Sequence, residues 1–159
     1  MNLSQLGVFC FLDPLPGSAL GPFARKVEQL GYSALWFAEG MGRESLSVAT
    51  YLLSQTQSLI VGSGIAVAYS REPIAAANAA RTLNELFPGR FVLGLGVSNA
   101  ASNERRGVRY ERPVVFMREY LARMRAAPYM APTPREDPPV VLGSLLPRMI
   151  HLAAAETAG

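Results

Sequence analysis

Short apolar runs alternate with longer amphipathic ones along the whole chain. "QLGVFCFL" (5–12) is short and rich in Val and Phe, which predicts a strand, and "PLPG" breaks it. From 18 to 30, Phe23, Val27 and Leu30 recur at helical spacing, and Gly31 is placed to end the helix. The cycle then repeats. Strands are expected over 33–39, 58–68, 91–97 and 140–144, and helices over 44–56, 73–86, 114–126 and 145–158. Pro73 and Pro113 suit the first turns of their helices. "SNAASNERRGVRYE" (98–111) and the proline-rich "PYMAPTPREDPP" (128–139) read as loops.

Five consecutive βα units predict parallel pairing with right-handed crossovers. The strands are apolar nearly throughout rather than alternating, which predicts burial on both faces. Two α/β architectures fit: an open doubly wound sheet and part of an eight-stranded barrel. A complete barrel takes roughly 250 residues and eight units. Five strands do not close with ordinary barrel geometry, so length alone favours the flavodoxin-like sheet.

Composition narrows the functional classes. The chain has 159 residues, 50% of them hydrophobic and 17% charged, enough for one domain over 1–159 with a real core. No apolar run approaches a membrane span, and "MNLSQLGVFCF" lacks the features of a signal peptide. The single cysteine, Cys10, rules out an internal disulfide framework, fits a reducing cytoplasm and reads as a small core residue. Fourteen of the 15 basic residues are arginine, a bias that fits GC-rich coding. At a net charge of +3, without a basic stripe interleaved with aromatics, nucleic acid is not an expected partner.

The candidate chemistry lies in glycines and at strand ends. "GSGIAVA" and "GLGVSNA" both lack the third glycine of a dinucleotide-binding turn, and apolar residues continue past the second glycine. These glycines therefore sit inside strands, where they mark a bulge, tight packing, or room for a flat ring system. The C-terminal strand ends offer Asp13, Glu39, Ser98, Asn99, Gly143 and Ser144. Glu39 is either a pocket acid or a loop glutamate paired with an arginine such as Arg43. Asn99 and Ser98 either line a site or cap a loop. Gly143 and Ser144 precede a helix whose first N–H groups suit a phosphate or a polar tail. Arg105, Arg106 and Arg109 suit either a solvated loop or an anionic cofactor tail. No metal is expected, because the only histidine, His151, lies within an Ala/Leu-rich helix and belongs to its surface or packing.

Three stretches carry a resemblance: "GYSALWFAE" (31–39), "LIVGSGIAVAYSREPIAAANAARTLNELFPGRFVLGLGVS" (59–98) and "VVLGSLLPRMIHLAAAETAG" (140–159). Their order and spacing resemble the luciferase-like family of flavin- and deazaflavin-dependent oxidoreductases. The resemblance implies parallel βα repeats of a TIM-barrel (luciferase-like) fold, with about five of eight units present. A truncated chain, pairing with a second chain or a homo-oligomer across the open edge, or a non-standard closure is then expected. It further implies a bulge with a non-prolyl cis peptide at Gly64 and Ile65 behind the flavin ring. On that reading Gly64, Ile65, Ala66, Gly96, Ser98, Asn99, Gly143 and Ser144 contact the cofactor and Glu39 is catalytic. Many family members follow the acid with histidine, where this chain has Gly40, which speaks against a histidine proton relay. The implied reaction is hydride transfer between coenzyme F420 and a small organic substrate. An FMN-dependent monooxygenase and a non-enzymatic half-barrel or interaction module are the alternatives.

Overall fold

A computed structural model describes residues 6–159. The expected start of the first strand at Gln5 lies outside the described residues. Strand β1 (Gly7–Cys10) is followed by helix α1 (Gly17–Gln29), β2 (Ala34–Phe37) and α2 (Ser45–Ser54). The third strand comes in two pieces, β3 (Ile60–Ser63) and β4 (Ala66–Val67), with a 3₁₀ turn at Ala68–Ser70 before α3 (Pro73–Leu86). Next come β5 (Phe91–Gly96), α4 (Ala100–Arg105), α5 (Pro113–Arg125), β6 (Val140–Leu142) and α6 (Pro147–Glu156). The short helix α4 falls in a stretch whose polarity predicted only loop. Asn99 explains it, since its side chain accepts from the Ser102 N–H at 2.9 Å and starts the helix.

All strand pairs are parallel and follow chain order: β1 with β2, β2 with β3, β3 and β4 with β5, and β5 with β6. A doubly wound sheet would reverse its order midway. The unbroken order is that of a barrel wall, and it corrects the preference that length alone suggested. The sheet is open, with β1 at one edge. At the other edge, Ala158 N–H donates to the Val140 carbonyl and Leu142 N–H to the Gly159 carbonyl, so the last residues lie along β6.

The two faces differ. The helices cover the outer face, where Leu35, Phe37, Val61, Phe91, Leu93 and Leu95 join the main core. The inner face holds a small cluster of Ala34, Ile60 and Val92, with Trp36 and Val141 packed against it. Burial on both faces is complete in β3 and β5 but fails in β1, where exposed and half-buried positions alternate. Phe9 is 64% exposed on the inner face because no described strand lies opposite it. Cys10 is half-buried against the outer core.

Glu28 fastens the end of the sheet opposite the strand C-termini. Its carboxylate accepts from the N–H groups of Gln57, Ser58 and Leu59 and from the Ser58 hydroxyl, tying α1 to the segment that enters β3. Burial works to raise its pKa, but these hydrogen bonds together outweigh it and hold the carboxyl below its ordinary 4.5. A carboxyl depressed in the folded state stabilises fully above the unfolded value, and that contribution is lost as pH falls through the folded value. Glu28→Gln is therefore expected to flatten the loss of stability on acidification below about pH 4.5, read as denaturation midpoints against pH.

Candidate active site

Helices that follow parallel strands begin at the strands' C-terminal ends, and barrel chemistry gathers at that end. The arrangement here turns on one extra residue in the third strand. Gly62 pairs with Val92 and Ala66 with Leu95, so four steps along the third strand match three along β5. The surplus is a bulge at Gly64 and Ile65, and the peptide bond between them is cis.

The glycines of both motifs serve this bulge. A Cβ on Gly94 would overlap the Ser63 carbonyl oxygen. One on Gly96 would lie 2.6 Å from the Ile65 side chain, and one on Gly143 would lie 2.7 Å from it. Ile65 thus lies across two neighbouring strands and fills the space their bare backbones leave. Lower on the same face the Trp36 ring covers Gly62, where a Cβ would come within 2.5 Å, and the Phe9 ring reaches towards Gly64. The outcome is an apolar inner wall of Phe9, Trp36 and Ile65. Ser63 secures it from behind: its buried hydroxyl donates to the Gly94 carbonyl at 2.9 Å and accepts from the Gly94 N–H at 3.0 Å.

Glu39 locks the bulge from the β2 side. Its own N–H donates to the Ile65 carbonyl at 3.2 Å, and its carboxylate accepts from the Val67 N–H at 2.8 Å. Arg71 Nη2 donates to both carboxylate oxygens at 2.8 Å, and the Ser45 hydroxyl donates at 3.1 Å. The side chains of Arg71 and Glu39 are only 10% and 8% exposed. The arginine that pairs with Glu39 is therefore Arg71 rather than Arg43. Arg43 instead donates to the carbonyls of Leu12 and Leu15, and its N–H meets Asp13 Oδ1. Arg71 also reaches Glu44, whose carboxyl is lowered overall. Burial opposes that lowering, but the Leu46 and Ser47 N–H groups, the Ser47 hydroxyl and Arg71 outweigh it.

Gly40 has a spatial reason to lack a side chain. A Cβ there would stand 2.8 Å from Asp13 Oδ2 and 3.0 Å from the Phe11 ring, so Asp13 occupies that place. Asp13 Oδ1 accepts from Arg43, while Oδ2 has no hydrogen-bond partner among the described residues.

The remaining assigned residues sit at the rim. Ser98 has φ 57°, and the Asn99 side chain is used in capping α4. Asn103, fully buried, holds this turn by donating to the carbonyls of Val97 and Asn99. Gly143 is exposed, and the Ser144 hydroxyl donates to the Met149 carbonyl at 3.4 Å. Ala66 is fully buried behind the wall. Of the loop arginines, Arg106 is spent on the carbonyls of Ser102 and Gly40, and Arg109 pairs with Glu111. The residues that pattern reading passed over are Arg71 and Asn103. Arg71 lies 32 positions from its partner, and nothing in local spacing points to it. Among the described residues no group of three or more His, Cys, Asp or Glu could hold a metal ion. Among the described residues no helix is long and apolar enough to cross a membrane.

An unbroken parallel order, a bulged third strand and an apolar inner wall at the strand C-termini define the wall of a TIM-type barrel. The family model described as luciferase-like monooxygenase matches residues 6–159, and the chain belongs to that family. It is 29% identical over 116 residues to a 5,10-methylenetetrahydromethanopterin reductase of Methanolobus tindarius, a match covering 72% of this chain and 36% of that protein. An F420-dependent secondary alcohol dehydrogenase, solved with an F420–acetone adduct, superposes with a TM-score of 0.85 at 18% identity. That match covers 96% of this chain and 56% of the other. A type II Baeyer–Villiger monooxygenase component from Pseudomonas putida, solved with FMN, gives 0.74 at 14% identity over 87% of this chain and 51% of the other. The chain thus spans about a third of that curated relative and about half of these structures. Their barrels place the open sheet as a partial TIM-barrel-type wall of luciferase-like form.

Two substitutions probe the wall. Gly94→Ala drives a methyl into the Ser63 carbonyl and is expected to lower unfolding free energy by about 3 kcal/mol in urea denaturation. Glu39→Ala strands the buried Arg71 and is expected to cost about 3–5 kcal/mol in the same measurement, with Arg71→Ala similar.

Proposed function

We propose that this chain forms the cofactor wall of an oxidoreductase that uses coenzyme F420 for hydride transfer to or from a small organic substrate. The observation that carries this reading is the bulged third strand, with Ile65 laid over Gly96 and Gly143. A planar ring system needs a flat apolar surface free of competing polar side chains, and Phe9, Trp36 and Ile65 provide one. The backbone of Gly64 and Ile65 would back the ring from behind, with Ala66 beneath, and Gly96 would act only through Ile65. Ser98, Asn99, Gly143 and Ser144 would border it at the rim. When bound, F420 supplies a two-electron hydride, whereas FMN, the alternative cofactor, also reacts with dioxygen.

Glu39 then acts as a positioning residue: its carboxylate holds Val67 and Arg71, and through them the bulge. Proton handling falls to Asp13, whose Oδ2 stands where a side chain at position 40 would point. The apolar wall excludes water from the reacting face, and the carboxyl at its rim holds or releases the proton that accompanies the hydride.

A second observation bears on partners. Leu6, Phe9 and Phe11 at the β1 edge are 81%, 64% and 49% exposed, and Leu145 and Leu146 before α6 are 94% and 72% exposed. Such edges favour a covering partner, either a second copy or another chain, over a free half-barrel. A cytoplasmic setting suits the F420 reading.

Fluorescence titration with F420 and with FMN separates the readings. Micromolar F420 binding with anaerobic turnover is expected; binding of neither cofactor below roughly millimolar concentration overturns the proposal in favour of an interaction module. Turnover only with reduced FMN and oxygen selects the monooxygenase. Asp13→Asn is expected to lower kcat about 100-fold while leaving the cofactor Kd unchanged.

A further inference from the structure

The turn between β2 and α2 has no side chain where it lies closest to Asp13. A Cβ on Gly40 would stand 2.8 Å from Asp13 Oδ2, and one on Gly42 would stand 2.6 Å from the same oxygen. Two glycines thus let bare backbone wrap the carboxyl. The same bareness leaves the turn conformationally free unless something outside it fixes its path. Two arginines do so from opposite sides. Arg43 fastens the far end to the segment after β1. Its guanidinium donates to the carbonyls of Leu12 and Leu15 at 3.0 and 2.8 Å, and its N–H donates to Asp13 Oδ1 at 3.1 Å. Arg106 holds the near end: Nη2 donates to the Gly40 carbonyl at 2.6 Å, 66 positions away, and Nη1 to the Ser102 carbonyl at 3.2 Å.

Arg106 stands on a firm base. It follows the last turn of α4, and its N–H donates to the Asn103 carbonyl at 3.0 Å. The helix itself is held by the Asn99 cap and the buried Asn103. Between the glycine turn and α4 lies a cavity of roughly 470 Å³, lined by Gly40, Met41, Tyr69, Arg106 and Val108. Among the described residues, Arg106 makes the hydrogen bond that spans it. A guanidinium on a carbonyl is a charge-assisted bond, and this one is half-buried, which shields it from salt better than a surface contact.

We propose that Arg106 is a positioning residue for Asp13: it fixes the glycine turn over the carboxyl and so sets where Asp13 meets the reacting groups. The inference rests on the proton role given to Asp13 above. Arg106 acts through Gly40 rather than by contact with cofactor or substrate. Displacing the turn by about 1 Å is enough to impair a proton transfer.

Amide hydrogen exchange of the cofactor-free protein tests the latch by itself. Arg106→Ala is expected to speed exchange over residues 40–43 about tenfold or more, with Arg106→Lys close to the wild type. Arg106→Met keeps the packing but donates nothing, and is expected to match Arg106→Ala. Loss of the exposed neighbouring charge in Arg105→Ala is expected to change nothing. Wild-type exchange in both Arg106→Ala and Arg106→Met overturns the proposal. Kinetics test the positioning. Arg106→Ala is expected to lower kcat about tenfold at unchanged KM and cofactor Kd, and Arg106→Lys to recover most of the loss. A change in KM or Kd with kcat intact overturns the proposal in favour of direct ligand contact. In an Asp13→Asn background, Arg106→Ala is expected to cost no further kcat; a second tenfold loss means that Arg106 does not act through Asp13. Wild-type turnover by Asp13→Asn sinks the proton assignment beneath the proposal, whereas the exchange result is independent of that assignment.

Discussion

One surplus residue in the third strand governs the rest of the structure. A parallel ladder has no place for it, so the backbone bulges at Gly64 and Ile65 and pushes the Ser63 carbonyl and the Ile65 side chain towards the neighbouring strands. Those strands accept the intrusion only where they carry no side chain, at Gly94, Gly96 and Gly143. The bulge also leaves carbonyls and N–H groups displaced from the regular ladder. Glu39 supplies partners from the β2 side, through its own N–H to Ile65 and its carboxylate to Val67.

A carboxylate that is 8% exposed is tolerable because it is fully engaged. Arg71, Ser45 and Val67 together satisfy Glu39, and Arg71 in turn grips the Val67 carbonyl at 2.7 Å. The pair is thus a clamp on backbone geometry rather than a free acid. This division of labour leaves Asp13, beside Gly40 and Arg43, as a carboxylate with one unengaged oxygen, the group to which the proposed function gives the proton. The inner wall of Phe9, Trp36 and Ile65 is apolar. Polar groups are confined to the edge, the arrangement small-molecule sites generally show.

Much of the fold was legible in the pattern of apolar runs. All five strands and the helix between each pair follow from period and punctuation, because parallel strands buried under helices must be apolar and their connections must be amphipathic. The ends were less legible. β1 reads as doubly buried but is exposed on its inner face, since burial depends on what stands opposite and not on the strand itself. Helix α4 was hidden because its six residues are held by the capping of Asn99 and the buried Asn103 rather than by an apolar stripe.

For the site, the residues alone marked where bare backbone is required. Glycines inside apolar strands, without a third glycine or a helix start, exclude a phosphate loop, and this follows from local chemistry. What those glycines make room for was settled only in three dimensions. At Gly94 and Gly96 it is a neighbouring bulge and one isoleucine, and at Gly62 the Trp36 ring, because a strand's closest contacts come from residues about 30 positions away. The same holds for Glu39: sequence shows an acid after an apolar strand, whereas packing turns it onto Arg71, an ion pair that local spacing cannot encode.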